Sequence, residues 1–317
     1  MKDKATQSGT VLLAGKGNLI PGIAVCLLQA GHRVNLWTDK AEEPVNAILA
    51  HLSSANAGNG KDSVETDRLQ VSGNLKELRD CRIAVAVTPE DLAEKRNMIR
   101  QLEDHLSPDA IIGINSESIG LDELQQESRN AERILGLNWV EPAHTTRFLE
   151  VISNEAVKEN IAGQLCSLAR SDWKKDPYVV ENFGIRSRLI CAMVREAFYL
   201  VDNGYASVED IDRACRNDAG YYLPFAGNCR YMDLMGTYGY GMVMKDLNPD
   251  LSKEQQLPDF FTDILKRGGL GMKNGKGLYH YTRKEVKRWN NTFKKFSYQI
   301  EKIINRYPFN YKDNKSG

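Results

Sequence analysis

The segment Val11-Leu-Leu-Ala-Gly15-Lys16-Gly17 restricts this chain more than any other. A short β-favouring apolar run breaks into Gly-Lys-Gly and passes at once into a stretch with helical spacing. Strand, tight turn and helix in that order open a parallel α/β sheet, and the unpaired N–H groups at the helix start face an anion at the turn. Gly15 and Gly17 let the backbone turn and admit a pyrophosphate closely, with Asn18 at the mouth of the helix. The third glycine of the full pattern is replaced by Ile20, and Gly22 does not restore the spacing. A side chain there pushes helix and strand apart or demands another packing, so weak dinucleotide binding is expected. Lys16 either adds charge to a phosphate or points into solvent.

The alternation continues through the first half. Residues 10–15, 33–38, 69–72, 82–87, 110–114 and 134–138 read as strands, and 20–30, 43–53, 90–105 and 120–127 as helices. Segments 149–153, 155–171 and 173–180 extend the layer, giving an open parallel sheet covered on both faces. From Gly184 only helices follow, over 186–203, 207–217 and 224–235, with Ser207 ahead of Glu209 and Asp210 as a helix start. At 317 residues two domains are expected, 1–183 a doubly wound α/β domain and 184–317 an all-α domain.

The acid expected at the end of the second strand, for the adenosine ribose, falls at Thr38, with Asp39 one step later. Asp39 serves if the strand end shifts by one residue; otherwise Arg33 and Lys40 favour a 2′-phosphate. NAD is preferred, with NADP left open.

Charges balance at 42 against 42, which gives no bias toward nucleic acid or an anionic membrane. No apolar run approaches the ~20 residues of a membrane span, and a cytoplasmic location is expected. The six cysteines lack zinc spacing, so no metal is expected. The final helix carries an apolar stripe (Trp289, Phe293, Phe296, Ile300, Ile303), while residues 283–317 hold ten basic side chains against three acids. It packs on its own domain or a twin subunit, or else meets a membrane surface or an acidic partner.

Over about residues 10 to 290 the chain resembles the 3-hydroxyacyl-CoA dehydrogenase superfamily. The phrases are the glycine turn, Gly22-Ile-Ala, Gln29-Ala-Gly-His32, Pro89-Glu-Asp-Leu, Asn115-Ser-Glu-Ser118, Gly136-Leu-Asn-Trp-Val-Glu-Pro142, Leu149-Glu-Val-Ile152, Ser207-Val-Glu-Asp-Ile-Asp212 and Gly271-Met-Lys-Asn-Gly-Lys-Gly-Leu-Tyr279. Leu223-Pro-Phe-Ala-Gly227 and the final helix look nearer the lambda-crystallin, gulonate and carnitine dehydrogenase branch. The resemblance implies a Rossmann-like cofactor domain, a helical C-terminal domain that dimerises, and a substrate cleft between them. It also implies a histidine that takes a hydroxyl proton while hydride leaves for the nicotinamide, and a glutamate that orients it.

The matching positions depart from that pattern. Asn138 stands at the histidine, Glu141 at the asparagine of the same motif, Glu117 at a substrate-binding serine and Ser187 at a further asparagine, while Glu150 keeps the supporting glutamate. An amide accepts no proton at neutral pH, so Asn138 is no base. His144 lines the cleft on this reading. Glu117, Glu141 and Glu150 either crowd together, with Glu141 then the base, or they point apart or pair with Arg147 and Arg188. Two functions follow: an NAD-dependent oxidoreductase on the CH–OH group of a 3-hydroxy acid or its CoA thioester with an atypical base, or a silent binding protein on the same scaffold. A non-redox reaction in the same cleft is a third.

Overall fold

The computed structural model describes residues 9–38, 42–59, 66–78, 81–307 and 309, with backbone alone for 43 and 54–59. Asp39 and Lys40 lie outside the described residues.

Strands and helices alternate as β1 (Thr10–Gly15), α1 (Leu19–Gln29), β2 (Arg33–Trp37), α2 (Glu42–Asn59), β3 (Leu69–Ser72) and β4 (Ile83–Val87). Then come α3 (Leu92–His105), β5 (Ile111–Ile114), α4 (Leu121–Gln125) and β6 (Ile134–Asn138). The layer ends with β7 (Glu150–Ser153), α5 (Ile161–Ser171) and β8 (Tyr178–Glu181). The eight strands lie in the order β3-β2-β1-β4-β5-β6-β7-β8. Chain direction across the sheet reverses at β1, which pairs in parallel with β2 on one side and β4 on the other. Ligands of open α/β sheets sit at the carboxyl ends of the strands flanking such a reversal.

The sheet is not wholly parallel, as the alternation had implied: β6 and β7 run antiparallel, pairing Gly136 with Ile152 and Asn138 with Glu150. A parallel return needs a crossover, usually a helix, to carry the chain back across the sheet. Residues 139–149 hold no helix; they turn back through a cis Glu141–Pro142 bond. The turn sets Asn138 opposite Glu150.

One face of the sheet packs a core of α1 and α5 side chains with Trp139 and Trp173; the other packs α3 and α4. Helix α1 is buried from Ile20 through Leu28, which is why its sequence is apolar all round. On α3 partly buried Leu92 and buried Lys95, Ile99 and Leu102 follow helical spacing, with a lysine in one apolar position.

The chain divides into compact units at 187/188, beyond the expected 183/184. Residues 185–187 stay with the first unit because the N–H groups of Ile185 and Arg186 bond to Glu150. Helix α6 (Arg186–Asp202) begins there and runs into the second unit. The rest is α7 (Val208–Asn217), α8 (Ala219–Met235, kinked at Gly227), α9 (Thr237–Leu247), α10 (Asp259–Lys266) and α11 (Arg283–Arg306). Helices α9 and α10 were not foreseen. Ser207 caps α7 as expected, accepting from the Asp210 N–H at 3.1 Å. Among the described residues no helix is long and apolar enough to cross a membrane, and no group of three potential metal ligands occurs.

Candidate active site

At the β1 turn Gly15 and Gly17 have φ of +110° and +116°, conformations an L side chain rarely adopts. A Cβ on Gly15 would lie 2.0 Å from the Val87 carbonyl oxygen, and the Lys16 N–H donates to that oxygen at 3.3 Å. The turn is therefore fastened against the end of β4. Beside it opens a cavity of ≈ 390 Å³ lined by Gly15, Lys16, Trp37, Thr38, Thr88 and Asn97 among others. Asn18 is exposed at the start of α1 and makes no side-chain cap. Thr38 is buried at the strand end, and Trp37 Nε1 donates to the Gly73 carbonyl at 3.2 Å.

Ile20 does not face this cavity; it is 1 % exposed within the core under α1. Close packing falls to Gly22, where a Cβ would stand 3.0 Å from the Ala143 nitrogen. The side chain at 20 is thus part of the core.

Thr88, on the cavity wall, belongs to a hydrogen-bonded group at the ends of β4 and β5. Asn115 accepts from the Thr88 N–H at 2.8 Å and donates to the Thr88 carbonyl at 3.0 Å. Lys95, fully buried, donates to the Asn115 carbonyl at 2.6 Å and Thr88 Oγ1 at 3.2 Å, and meets Glu90 at 3.1 Å. Burial pushes the Lys95 amine down, and Glu90 draws it partly back. Glu90 Oε1 accepts the N–H groups of Glu117 (2.9 Å), Ser118 (2.7 Å) and Ile119 (3.1 Å). Burial works to raise the Glu90 carboxyl, but the Ser118 N–H and the charge of Lys95 hold it below its ordinary range.

Asn138 and Glu150 meet across the ladder, Asn138 Nδ2 donating to Glu150 Oε2 at 2.9 Å. Asn138 also donates to the Ser116 carbonyl at 2.7 Å and accepts from the Ser116 N–H at 2.8 Å, so its amide is fully engaged. Glu150 has no exposure, and its Oε1 accepts from Tyr178 OH (2.8 Å) and the N–H groups of Ile185 (3.0 Å) and Arg186 (3.2 Å). Burial, then the bond to Glu150 and its charge, push the Tyr178 phenol far up, which keeps it a donor. Gly184 closes the other side: a Cβ there would lie 2.2 Å from Glu150 Oε2.

Of the two arrangements open for the carboxylates, Glu117 and Glu150 take the separate one. Glu117 pairs with Arg186 at 3.2 Å and accepts from Ser187 Oγ; its partner is neither Arg147 nor Arg188. Glu141 is exposed on the loop after β6, and the bonds that hold Asn138 and Glu150 come from other residues. His144 stacks at a tilt on His51, 4.9 Å between ring centres. Sequence reasoning brought Asn138, Glu150, Glu117 and Ser187 to one neighbourhood but missed Glu90, Lys95, Tyr178, Gly184 and Arg186. For Lys95 a signal existed, a lysine inside an apolar helical stripe.

A dinucleotide fits the cradle. Gly15, Lys16, Gly17 and Asn18 would hold its pyrophosphate at the helix start, and the cavity walls at Trp37 and Thr38 its adenosine. Comparison with known proteins agrees. Residues 10–183 match the NAD binding domain of 3-hydroxyacyl-CoA dehydrogenase, and 185–281 match the C-terminal domain of the same family. A 5-formyl-3-hydroxy-2-methylpyridine 4-carboxylate 5-dehydrogenase of Mesorhizobium japonicum is 26% identical over 290 residues, covering 87% of this chain and 92% of that one. A probable 3-hydroxybutyryl-CoA dehydrogenase of Bacillus subtilis is 26% identical over 284 residues, covering 86% and 98%. A solved structure of 5-formyl-3-hydroxy-2-methylpyridine 4-carboxylic acid 5-dehydrogenase, an NAD+ dependent dismutase, shares the fold with a TM-score of 0.85 at 23% identity, covering 93% and 98%. With both halves matched and the dinucleotide cradle in place, this chain belongs to the 3-hydroxyacyl-CoA dehydrogenase family of NAD-dependent oxidoreductases.

Proposed function

We propose that the chain interconverts a secondary alcohol and a ketone on a 3-hydroxy acid or its acyl thioester, and does so without an imidazole base. The observation that carries this is the continuity of the two halves of the site. Thr88 lines the dinucleotide cavity and is held by Asn115, one residue before the segment that Asn138 clamps. Bound NAD accepts or returns a hydride; the chain's own residues build the frame. Asn138 fixes the backbone of Ser116 and Glu150 fixes that of Ile185 and Arg186, so Glu117 and Ser187 are presented from two anchored segments. Relatives named for a hydroxyacyl thioester and for a pyridine carboxylate support a small carboxylate-bearing or thioester substrate. A silent scaffold is disfavoured, since the network around Asn138 is complete rather than eroded.

The reading includes a cytoplasmic homodimer. The helical unit exposes Leu189, Tyr221, Leu234 and Tyr238, at 68%, 85%, 65% and 82%. A twin subunit is the partner that would cover so much apolar surface.

The test is a thermal-shift titration with NADH and NADPH, then NADH absorbance with acetoacetyl-CoA and short 3-oxo acids. At a hundredfold excess over Kd a binder adds about 2.7 kcal/mol. NADH stabilisation with ketone-dependent loss of absorbance is expected. No stabilisation and no turnover would sink the proposal.

A further inference from the structure

We propose that Glu117 is the group that takes the substrate's hydroxyl proton, with Arg186 and Ser187 as its positioning residues. This rests on the dehydrogenase reading above, which requires a proton acceptor but does not supply one.

The other groups around the clamped segment are closed to the task. Asn138 is an amide with both side-chain atoms engaged. Glu150 has no exposure and four donors. Glu90 offers one oxygen to three backbone N–H groups and the other to Lys95, which is itself buried. Tyr178 is held as a donor to Glu150.

Glu117 differs in kind. Its side chain is 34% exposed, and only other side chains hold its carboxylate, Arg186 and Ser187. Its backbone, by contrast, is rigid: its N–H is bonded to Glu90 at 2.9 Å, and the neighbouring Ser116 is clamped on both sides by Asn138. A reachable carboxylate on a fixed backbone is what proton transfer at a defined place needs. It also follows the carboxyl end of β5, the edge of an open α/β sheet at which ligands bind.

In the step, the carbinol carbon loses hydride to the nicotinamide of NAD while the hydroxyl proton passes to a Glu117 oxygen. The C–O single bond becomes C=O, NAD becomes NADH, and the carboxylic acid returns its proton to water. Reduction runs through the same groups in reverse, Glu117 entering protonated. Arg186 and Ser187 hold the carboxylate in place between turnovers.

The experiment uses the full chain and the ketone that the parent reduces with NADH. E117Q is expected to lower kcat by roughly 10² to 10⁴-fold, the range of general acid–base catalysis, with NADH affinity by fluorescence titration unchanged. E117D should recover part of the loss, and added formate should restore E117A in proportion to its concentration, which a structural role would not do. E117Q within threefold of the parent overturns the proposal. So does a loss that neither aspartate nor formate relieves. A parent that reduces no 3-oxo compound counts against the functional reading instead, and it is measured first.

Discussion

Asn138 donates its amide to the wholly buried carboxylate of Glu150 at 2.9 Å, directly across an antiparallel ladder pair. The pair ties strand, loop and the start of α6 together, because Glu150 also receives the N–H groups of Ile185 and Arg186. Asn138→Ala removes one donor from a buried charge and strands the Ser116 N–H. A loss of roughly 1–3 kcal/mol is expected, toward the upper end because the abandoned acceptor is charged. Asn138→Asp should be worse than alanine, since it sets two carboxylates against each other. Urea unfolding of the three proteins gives the order, and an aspartate variant as stable as the parent would refute it.

Gly184 is required by the same pair. An alanine Cβ would lie 2.2 Å from Glu150 Oε2, and four donors keep that carboxylate from moving aside. Gly184→Ala should therefore destabilise by about 1–3 kcal/mol through overpacking. A variant melting within a degree of the parent would show that the loop yields instead.

How far the sequence carried this picture depends on what each element encodes. Strand β1 and its turn were legible because two glycines with obligatory positive φ leave a visible mark. The direction of β7 was not, since alternation has the same period for parallel and antiparallel strands. Helix α9 was hidden by Gly239 and Gly241, which lower helix propensity but not enough to prevent the helix. The spacing of Glu150 from Asn138 identified the pair, but no comparable spacing placed Glu141. It stands three residues after Asn138, but past the strand end on a cis-proline loop. Choosing Arg186 over Arg147 or Arg188 as the partner of Glu117 required the fold, because sequence distance does not say which arginine the β5 loop meets.

Ile20→Gly would restore the common glycine pattern but should not improve the protein. Ile20 lies in the core at 1 % exposure, so its removal leaves a cavity and adds glycine's helix penalty, together about 2–5 kcal/mol. Calorimetric titration at a temperature where the variant is folded should give NADH affinity no tighter than the parent's. A tenfold gain would show that the side chain at 20 does hold the helix away from the cofactor.

The last prediction concerns pH. Glu90 is held below its usual 4.5, although burial opposes this, because the Ser118 N–H and Lys95 favour its ionised form. A carboxyl with a depressed folded value binds fewer protons folded than unfolded just below 4.5, so its contribution is fully present above that pH. The contribution is lost as pH falls through the folded value. Lys95 works in the opposite sense at the alkaline end. Its amine is lowered from 10.5 chiefly by burial, so a penalty present at neutral pH is relieved as pH rises through the folded value toward 10.5. Glu90→Gln removes the acid-sensitive contribution and leaves Lys95 without its ion-pair partner. Compared with the parent, it should be less stable at pH 7 and lose less further stability between pH 5 and about 3, with the gap between the two closing toward acid. Chemical denaturation across that range measures both slopes, and parallel curves would show that Glu90 does not couple folding to protonation.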